Sequence, residues 1–308
     1  MKYLVIVNPI SGRGRGEKLV PIIRDLFEKH QYDFELVITE RPAHAMEITA
    51  QAAQEGIDVV VAAGGDGTAN EAINGLMITR EKGINKTALG LLSIGTGNDF
   101  AASLGLPSKI DRSVETLKRN IRRLVDVGRV TGGNHPEGRF FGNCVGIGFD
   151  AAGTIQSQKI TWAKGMLAYL ISAVQTIFFY YKAPTLEVRL DEEKINIPAL
   201  LVSIMNGRRI GGGFWTAPQA LMDDGLLDIC IAREVSRTRM FSLIPHFLKG
   251  TQTSQPEVQM KRSTKVEVTA LKGSMPVQTD GEIIAEDCKH LMVEIFQKRL
   301  EVVGFSNE

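Results

Sequence analysis

In the first 127 residues, compact apolar runs alternate with stretches whose apolar residues recur every three or four positions. This rhythm limits the fold more than any other feature of the chain. The runs at 3–7, 34–39, 57–63 and 88–94 read as strands, because each is short, apolar and bounded by turn residues. Between the first two, 17–30 places Leu19, Ile22, Ile23, Leu26 and Phe27 on one helical face, with Pro21 tolerated in the first turn. Helices are also expected at 42–55, 70–76 and 111–120. Strands joined by helical crossovers form a parallel sheet covered on both faces, and such sheets take ligands at the carboxyl ends of their strands.

From about residue 127 the texture changes to short alternating runs between polar turns, at 124–130, 139–146, 185–190, 199–206, 226–232, 265–270, 283–285 and 290–296. That pattern predicts antiparallel pairing, interrupted by helical stretches near 162–181 and 236–248. The expected fold class is α/β, with an N-terminal three-layer parallel-sheet domain over 1–127 and a C-terminal antiparallel β-sandwich domain over 128–297. A last run at 300–303 belongs to a strand, at about 298–305, that is a candidate to return to the first domain.

Charge narrows the function classes. Lys and Arg number 36 against 35 Asp and Glu, so at a net charge of +1 there is no global field to draw in nucleic acid or anionic lipid, and any basic contact is local. Cys144, Cys230 and Cys288 are isolated and lack metal-ligand spacing, which suits small buried thiols in a reducing cytoplasm. The opening MKYLVIVNP reads as a first strand rather than a leader, and the uncharged 165–181 falls short of a membrane span.

Three glycine-bearing turns follow successive strands: NPISGRGRG (8–16), GGDGTANE (64–71) and SIGTGNDF (93–100). SGRGRGEKL is not a P-loop, since Glu17 rather than glycine stands immediately before Lys18 and no hydroxyl follows it. Nor is it a dinucleotide fingerprint, since Glu17 stands where the third glycine belongs. Asn8, Ser11, Gly12, Gly65, Gly67, Thr68, Thr96 and Asn98 offer neutral groups suited to phosphate and ribose oxygens. Asp66 and Asp99 do not. A carboxylate beside a polyphosphate requires a divalent cation between them, and Mg²⁺ favours one or two carboxylates with phosphate oxygens and waters. The structural alternative is that both aspartates simply cap the helices that follow.

GGDGTANEAINGL, with the upstream NPISG and the downstream IGTGNDFA, resembles the catalytic domain of the diacylglycerol kinase family, in the form shared by soluble bacterial lipid kinases and sphingosine and ceramide kinases. The likeness continues through GGGFWTAPQALMDDGLLDI (211–229) and QTDGE (278–282). It implies ATP bound by Asn8, Pro9, Ser11, Gly12, Thr39, Gly65, Asp66, Gly67, Thr68, Asn70, Glu71 and Thr96. It implies catalytic Mg²⁺ organised by Asp66 and Asp99, and a second, structural Mg²⁺ on Asp224 with the carbonyls of Leu221 and Leu226. Glu282 is the general base it implies. Asp280 is a candidate to orient the metal or the base, although Asp280-Gly281 also reads as the centre of a type I′ hairpin.

The expected reaction is ATP-dependent phosphorylation of a lipid alcohol, with diacylglycerol first among acceptors. The rivals are an NAD kinase, which shares GGDGT but lacks the later blocks, and a nucleotide-binding regulatory protein without turnover. A lipid acceptor requires peripheral contact with a membrane, for which 177–182, Arg208, Arg209, Phe214, Trp215, Lys261, Arg262 and Lys265 are candidates. A cytoplasmic protein, transiently at a membrane, with a homodimer as a candidate assembly and no nucleic-acid partner, completes the expectation.

Overall fold

The computed structural model describes residues 1–306 apart from 161, 164, 165, 181 and 182. The chain forms two compact units, Met1–Val125 with Lys298–Glu308, and Asp126–Gln297.

Unit 1 alternates as its sequence does: β1 (Lys2–Val7), α1 (Ser11–Lys29), β2 (Asp33–Ile38), α2 (His44–Gln54), β3 (Val59–Gly64), α3 (Asp66–Glu81), β4 (Ala88–Ser93), α4 (Asp99–Ser103) and α5 (Ile110–Arg119). β2, β1, β3 and β4 lie side by side and pair in parallel. Side chains alternate across the sheet. Tyr3, Val5 and Val7 pack with Ile23 and Phe27 of α1 and Val114 and Leu117 of α5, whereas Leu4 and Ile6 pack with Ala45 and Ala52 of α2. Two cores on two faces make three layers.

Unit 2 is an antiparallel β-sandwich. Its elements are β5 (Arg122–Gly132), β6 (His135–Phe141), β7 (Cys144–Gly148), α6 (Phe149–Lys159), α7 (Met166–Gln175), a π turn (Thr176–Tyr180), β8 (Thr185–Leu190), β9 (Glu193–Met205), β10 (Leu227–Arg233), α8 (Arg237–Lys249), β11 (Val258–Ser263), β12 (Lys265–Lys272), β13 (Met275–Thr279), β14 (Glu282–Cys288) and β15 (His290–Val303). The strand β15 pairs antiparallel with β12 from Glu294 to His290, and its last residues, from Lys298, belong to unit 1, where Val302 pairs in parallel with Leu89 of β4. A large core runs from Val130 to Val293, and a second, with Ile177, Leu200, Cys230 and Leu243, lies under α8.

Local differences from the sequence reading have physical causes. The single strand expected at 139–146 is two strands, because the backbone turns at Gly142 and Asn143 to donate to a carboxylate described below. β11 and β13 went unread: VQMKRS has little apolar content, and MPVQT is short and carries Pro276. The expected helix at 162–181 is α7 and the π turn, while Gly165 and Tyr181 lie outside the described residues. All three cysteines are buried, and burial pushes the Cys230 thiol up to about 12.

Candidate active site

In unit 1 the three glycine turns lie at the carboxyl ends of adjacent strands. After β1, Gly12, Arg13 and Gly14 leave helical geometry at φ of 58°, 61° and 80°, so regular helix in α1 starts only beyond them. Gly16 then packs on the Asn8 carbonyl so closely that a Cβ would sit 2.0 Å from it. Asn8 links two turns, since its Nδ2 donates to Thr68 Oγ1 at 3.0 Å and its Oδ1 accepts from Ile10 N–H at 3.2 Å. The second and third turns meet backbone to backbone: a Cβ on Gly95 would lie 2.4 Å from the Gly65 Cα. Only glycine permits that approach.

Asp66 and Asp99 converge on Gly97. A Cβ there would lie 2.9 Å from Asp66 Oδ2 and 3.2 Å from Asp99 Oδ2, so both carboxylates flank one point. Neither is the N-cap residue of its helix, a position held by Gly65 for α3 and by Asn98 for α4. Asp66 Oδ1 instead accepts the N–H of Phe100 at 3.1 Å, tying the start of α3 to α4. Two carboxylates beside helix N-termini and hydroxyls are a donor set that fits Mg²⁺ carrying phosphate oxygens and waters.

The remaining residues of this group divide. Ser11, Gly65, Gly67 and Pro9 are half-buried at the turns, and Thr96 is exposed. Thr39 is buried and donates its N–H to the Val7 carbonyl at 2.9 Å, placing it beside the first turn. Asn70 is fully buried, with Asn74 Nδ2 donating to its side chain at 3.1 Å. The Glu71 carboxylate accepts Ala43 N–H at 2.9 Å and Ala45 N–H at 3.0 Å, so it holds the N-terminus of α2.

In unit 2, Asp280 and Gly281 have φ of 47° and 86° and form the turn between β13 and β14, with Thr279 opposite Glu282. Asp280 does more than turn. Its carboxylate is buried and accepts three N–H groups, from Gly142 at 2.8 Å, Asn143 at 3.0 Å and Cys144 at 2.9 Å. Two residues on, Glu282 pairs with Arg139 of β6 at 2.5 Å. Arg139, Asn143 and the fully buried Asn206, which donates to the carbonyls of Gly142 and Asp126, were not singled out in the sequence. No local pattern joins residues so far apart.

Around Asp224, Oδ1 accepts Leu226 N–H at 3.1 Å, the other oxygen pairs with Arg262, and Asp126 accepts Gly225 N–H at 2.6 Å. Leu221 is largely exposed. With Arg262 in place the donor set at Asp224 does not fit a further cation. Asp228, opposite Arg262 in the β10–β11 register, is 7% exposed, and its Oδ2 has no hydrogen-bond partner among the described residues. Burial raises its carboxyl above the usual range, the Arg262 charge opposes this and Asp224 adds to it. Lys261 and Lys265, read with Arg262 as lipid-facing candidates, pair with Glu193 at 2.8 Å and Glu294 at 3.1 Å.

A parallel α/β unit whose strand ends carry these turns, joined in one chain to an antiparallel sandwich, defines the fold shared by diacylglycerol kinases and NAD kinases. Among solved structures it is similar to a diacylglycerol kinase from Bacillus anthracis str. Sterne, with a TM-score of 0.71 and 22% identity over 99% of this chain and 97% of that one. An NAD kinase from Archaeoglobus fulgidus in complex with ATP is similar at a TM-score of 0.50 and 15% identity, covering 100% and 94%. Residues 2–130 match the diacylglycerol kinase catalytic domain, and residues 143–304 match the YegS C-terminal NAD kinase beta sandwich-like domain. The chain belongs to the diacylglycerol kinase-like lipid kinase family. It is 29% identical to a diacylglycerol kinase from Mycobacterium tuberculosis (strain ATCC 25618 / H37Rv) over 91% of this chain and 88% of the relative. It is 32% identical to a "Probable lipid kinase YegS-like" from Klebsiella pneumoniae (strain 342), over 89% and 87%.

Proposed function

We propose that this protein transfers the γ-phosphate of ATP to the hydroxyl of a lipid alcohol, with diacylglycerol the first acceptor, giving phosphatidic acid. The observation that carries the reading is the pair of carboxylates, Asp66 and Asp99, flanking Gly97 beside amide-rich turns. Such a pair repels a bare phosphate but suits one that arrives with Mg²⁺. Asp66 and Asp99 would hold that ion, which when bound neutralises charge on the triphosphate. Family membership supports the lipid side of the reading, and the relatives' names divide between diacylglycerol kinase and lipid kinase.

The chain's own groups then have definite tasks. Backbone N–H groups of the turns after β1, β3 and β4, with Asn8, Ser11, Thr39, Thr68 and Thr96, bind and orient the nucleotide. Glu282 accepts the proton of the acceptor hydroxyl as its oxygen attacks phosphorus. Arg139 orients that carboxylate, and Asp280 fixes the turn that presents it. In this reading the partner is a membrane surface from which the acceptor is drawn, and the protein works from the cytoplasm with transient membrane contact.

The test is labelled ATP with Mg²⁺ and mixed micelles of diacylglycerol, ceramide or monoacylglycerol, with NAD as a separate acceptor. A labelled lipid, lost in Asp66→Ala, is expected. Label in NAD and in no lipid would overturn the assignment.

A further inference from the structure

The turn at 222–225, which leads into β10, is fastened by side chains from β5, β11 and β15. The Gly225 N–H goes to Asp126 Oδ2 at 2.6 Å, and the Asp126 N–H returns to the Met222 carbonyl at 2.7 Å. Gln297 Nε2 donates to the Asp223 carbonyl at 3.5 Å, and Asp224 Oδ1 takes the Leu226 N–H at 3.1 Å. Gly225 has a φ of 77°, which suits glycine. Asp228 follows on β10, near enough to Asp224 for the two charges to repel. Carboxylates withdrawn from water in this way need a cation between them.

The family resemblance calls for that cation to be a structural Mg²⁺, on Asp224 with the carbonyls of Leu221 and Leu226. Arg262 stands there instead. It lies opposite Asp228 in the β10–β11 register, and one guanidinium reaches both acids: Nη2 contacts Asp224 Oδ2, and Nε lies 3.4 Å from Asp228 Oδ1. Both oxygens of Asp224 are therefore engaged, one by the Leu226 N–H and one by Arg262.

That arrangement opposes a divalent ion twice. Mg²⁺ needs oxygens free to approach it in a near-octahedral array, and a fixed positive charge on the same carboxylate repels it. No group of three or more His, Cys, Asp or Glu side chains among the described residues is arranged to hold a metal. The neighbouring Lys261 and Lys265 are engaged elsewhere, with Glu193 and Glu294. Arginine suits the task because its planar fork stays charged and can bridge two acids.

We propose that Arg262 takes the place of a structural cation in this chain. Its guanidinium is the countercharge for Asp224 and Asp228, holds the turn against β10 and β11, and excludes a divalent ion. The stability of unit 2 is then independent of metal. The inference goes beyond the kinase reading, whose Mg²⁺ belongs to Asp66 and Asp99 in unit 1.

The test is thermal unfolding of the whole protein without ATP, in an Asp66→Ala, Asp99→Ala background, so that a metal effect reports on the turn alone. The midpoint with Arg262 intact should be the same in excess EDTA and in millimolar Mg²⁺ or Ca²⁺. Arg262→Gln should lower the midpoint in EDTA by about 5 °C. Either ion should then restore about half of that loss, and calorimetric titration should find a cation site that appears only in this variant. Arg262→Lys keeps the charge without the fork, so it should fall between the two in EDTA and ignore added metal. A midpoint that rises with metal while Arg262 is intact, or in Arg262→Lys, overturns the proposal. So does an Arg262→Gln protein as stable as its parent, or one whose loss no divalent ion reduces. None of these measurements involves phosphoryl transfer, so the kinase reading stands or falls separately.

Discussion

The two units assemble their candidate chemistry from different materials. Unit 1 uses backbone: three turns, each directly after its strand, brought together because parallel neighbours end at the same edge. Glycine is demanded by contact, as where Gly65 and Gly95 touch. Unit 2 uses side chains reaching across the sequence, Asp280 to Cys144 over 136 positions and Glu282 to Arg139 over 143. A change in the first should therefore disturb chemistry before stability, and a change in the second should disturb both.

Among changes that leave stability intact, and after Asp66→Ala, the largest effect expected on turnover comes from Gly97→Ala. The added Cβ falls 2.9 Å from Asp66 Oδ2, so a carboxylate at the end of a movable side chain must shift while the backbone need not. Displacement on that scale reduces turnover by about a hundredfold. Steady-state kinetics with Mg²⁺-ATP should show the loss, with an unchanged thermal midpoint. Wild-type turnover in this variant would detach the carboxylate pair from the reaction.

Asp280→Ala probes the opposite case. It removes three charge-assisted bonds and leaves buried N–H groups at 142–144 without their acceptor, at a cost of about 3 kcal/mol. A marked fall in the urea midpoint, together with lost turnover, is expected. If the midpoint held while turnover collapsed, the carboxylate would belong to the chemistry and the contrast between the units would fail.

The same contrast explains what was legible in the sequence. The alternation of β1 to β4 with their helices could be read because burial on both faces makes short apolar strands and amphipathic helices with different periods. The turns could be read because their glycines lie in one local run after each strand. Asp66 and Asp99 stand 33 residues apart in sequence, and it was the parallel order of β3 and β4 that brought them to one glycine. In unit 2 the Asp280-Gly281 turn was readable from its two residues, but the role of its carboxylate was not, since nothing near 142–144 signals three converging N–H groups. The break in 139–146 is the visible trace of that long-range bond. Arg262 likewise read as a candidate for membrane contact because its partners, Asp224 and Asp228, depend on the β10–β11 register.

The smallest effect expected, one on stability alone, lies at Asp228. Its carboxyl is raised mainly by burial, so the folded protein holds that proton more tightly than the unfolded chain does. Between the unfolded value of 3.8 and the raised folded value, the folded state therefore binds more protons, and the wild type loses stability from this site as pH rises through that window. Above it, the ionised carboxylate is a standing cost that Arg262 only partly offsets. Asp228→Asn removes the charge and keeps the shape, so its thermal midpoint should exceed the wild type's at pH 7, with the gap closing as the pH is lowered toward 4. A variant less stable than wild type at pH 7, or a gap that widens on acidification, would mean that the Arg262 attraction outweighs burial. Asp228 would then be a stabilising member of an Asp224–Arg262–Asp228 network.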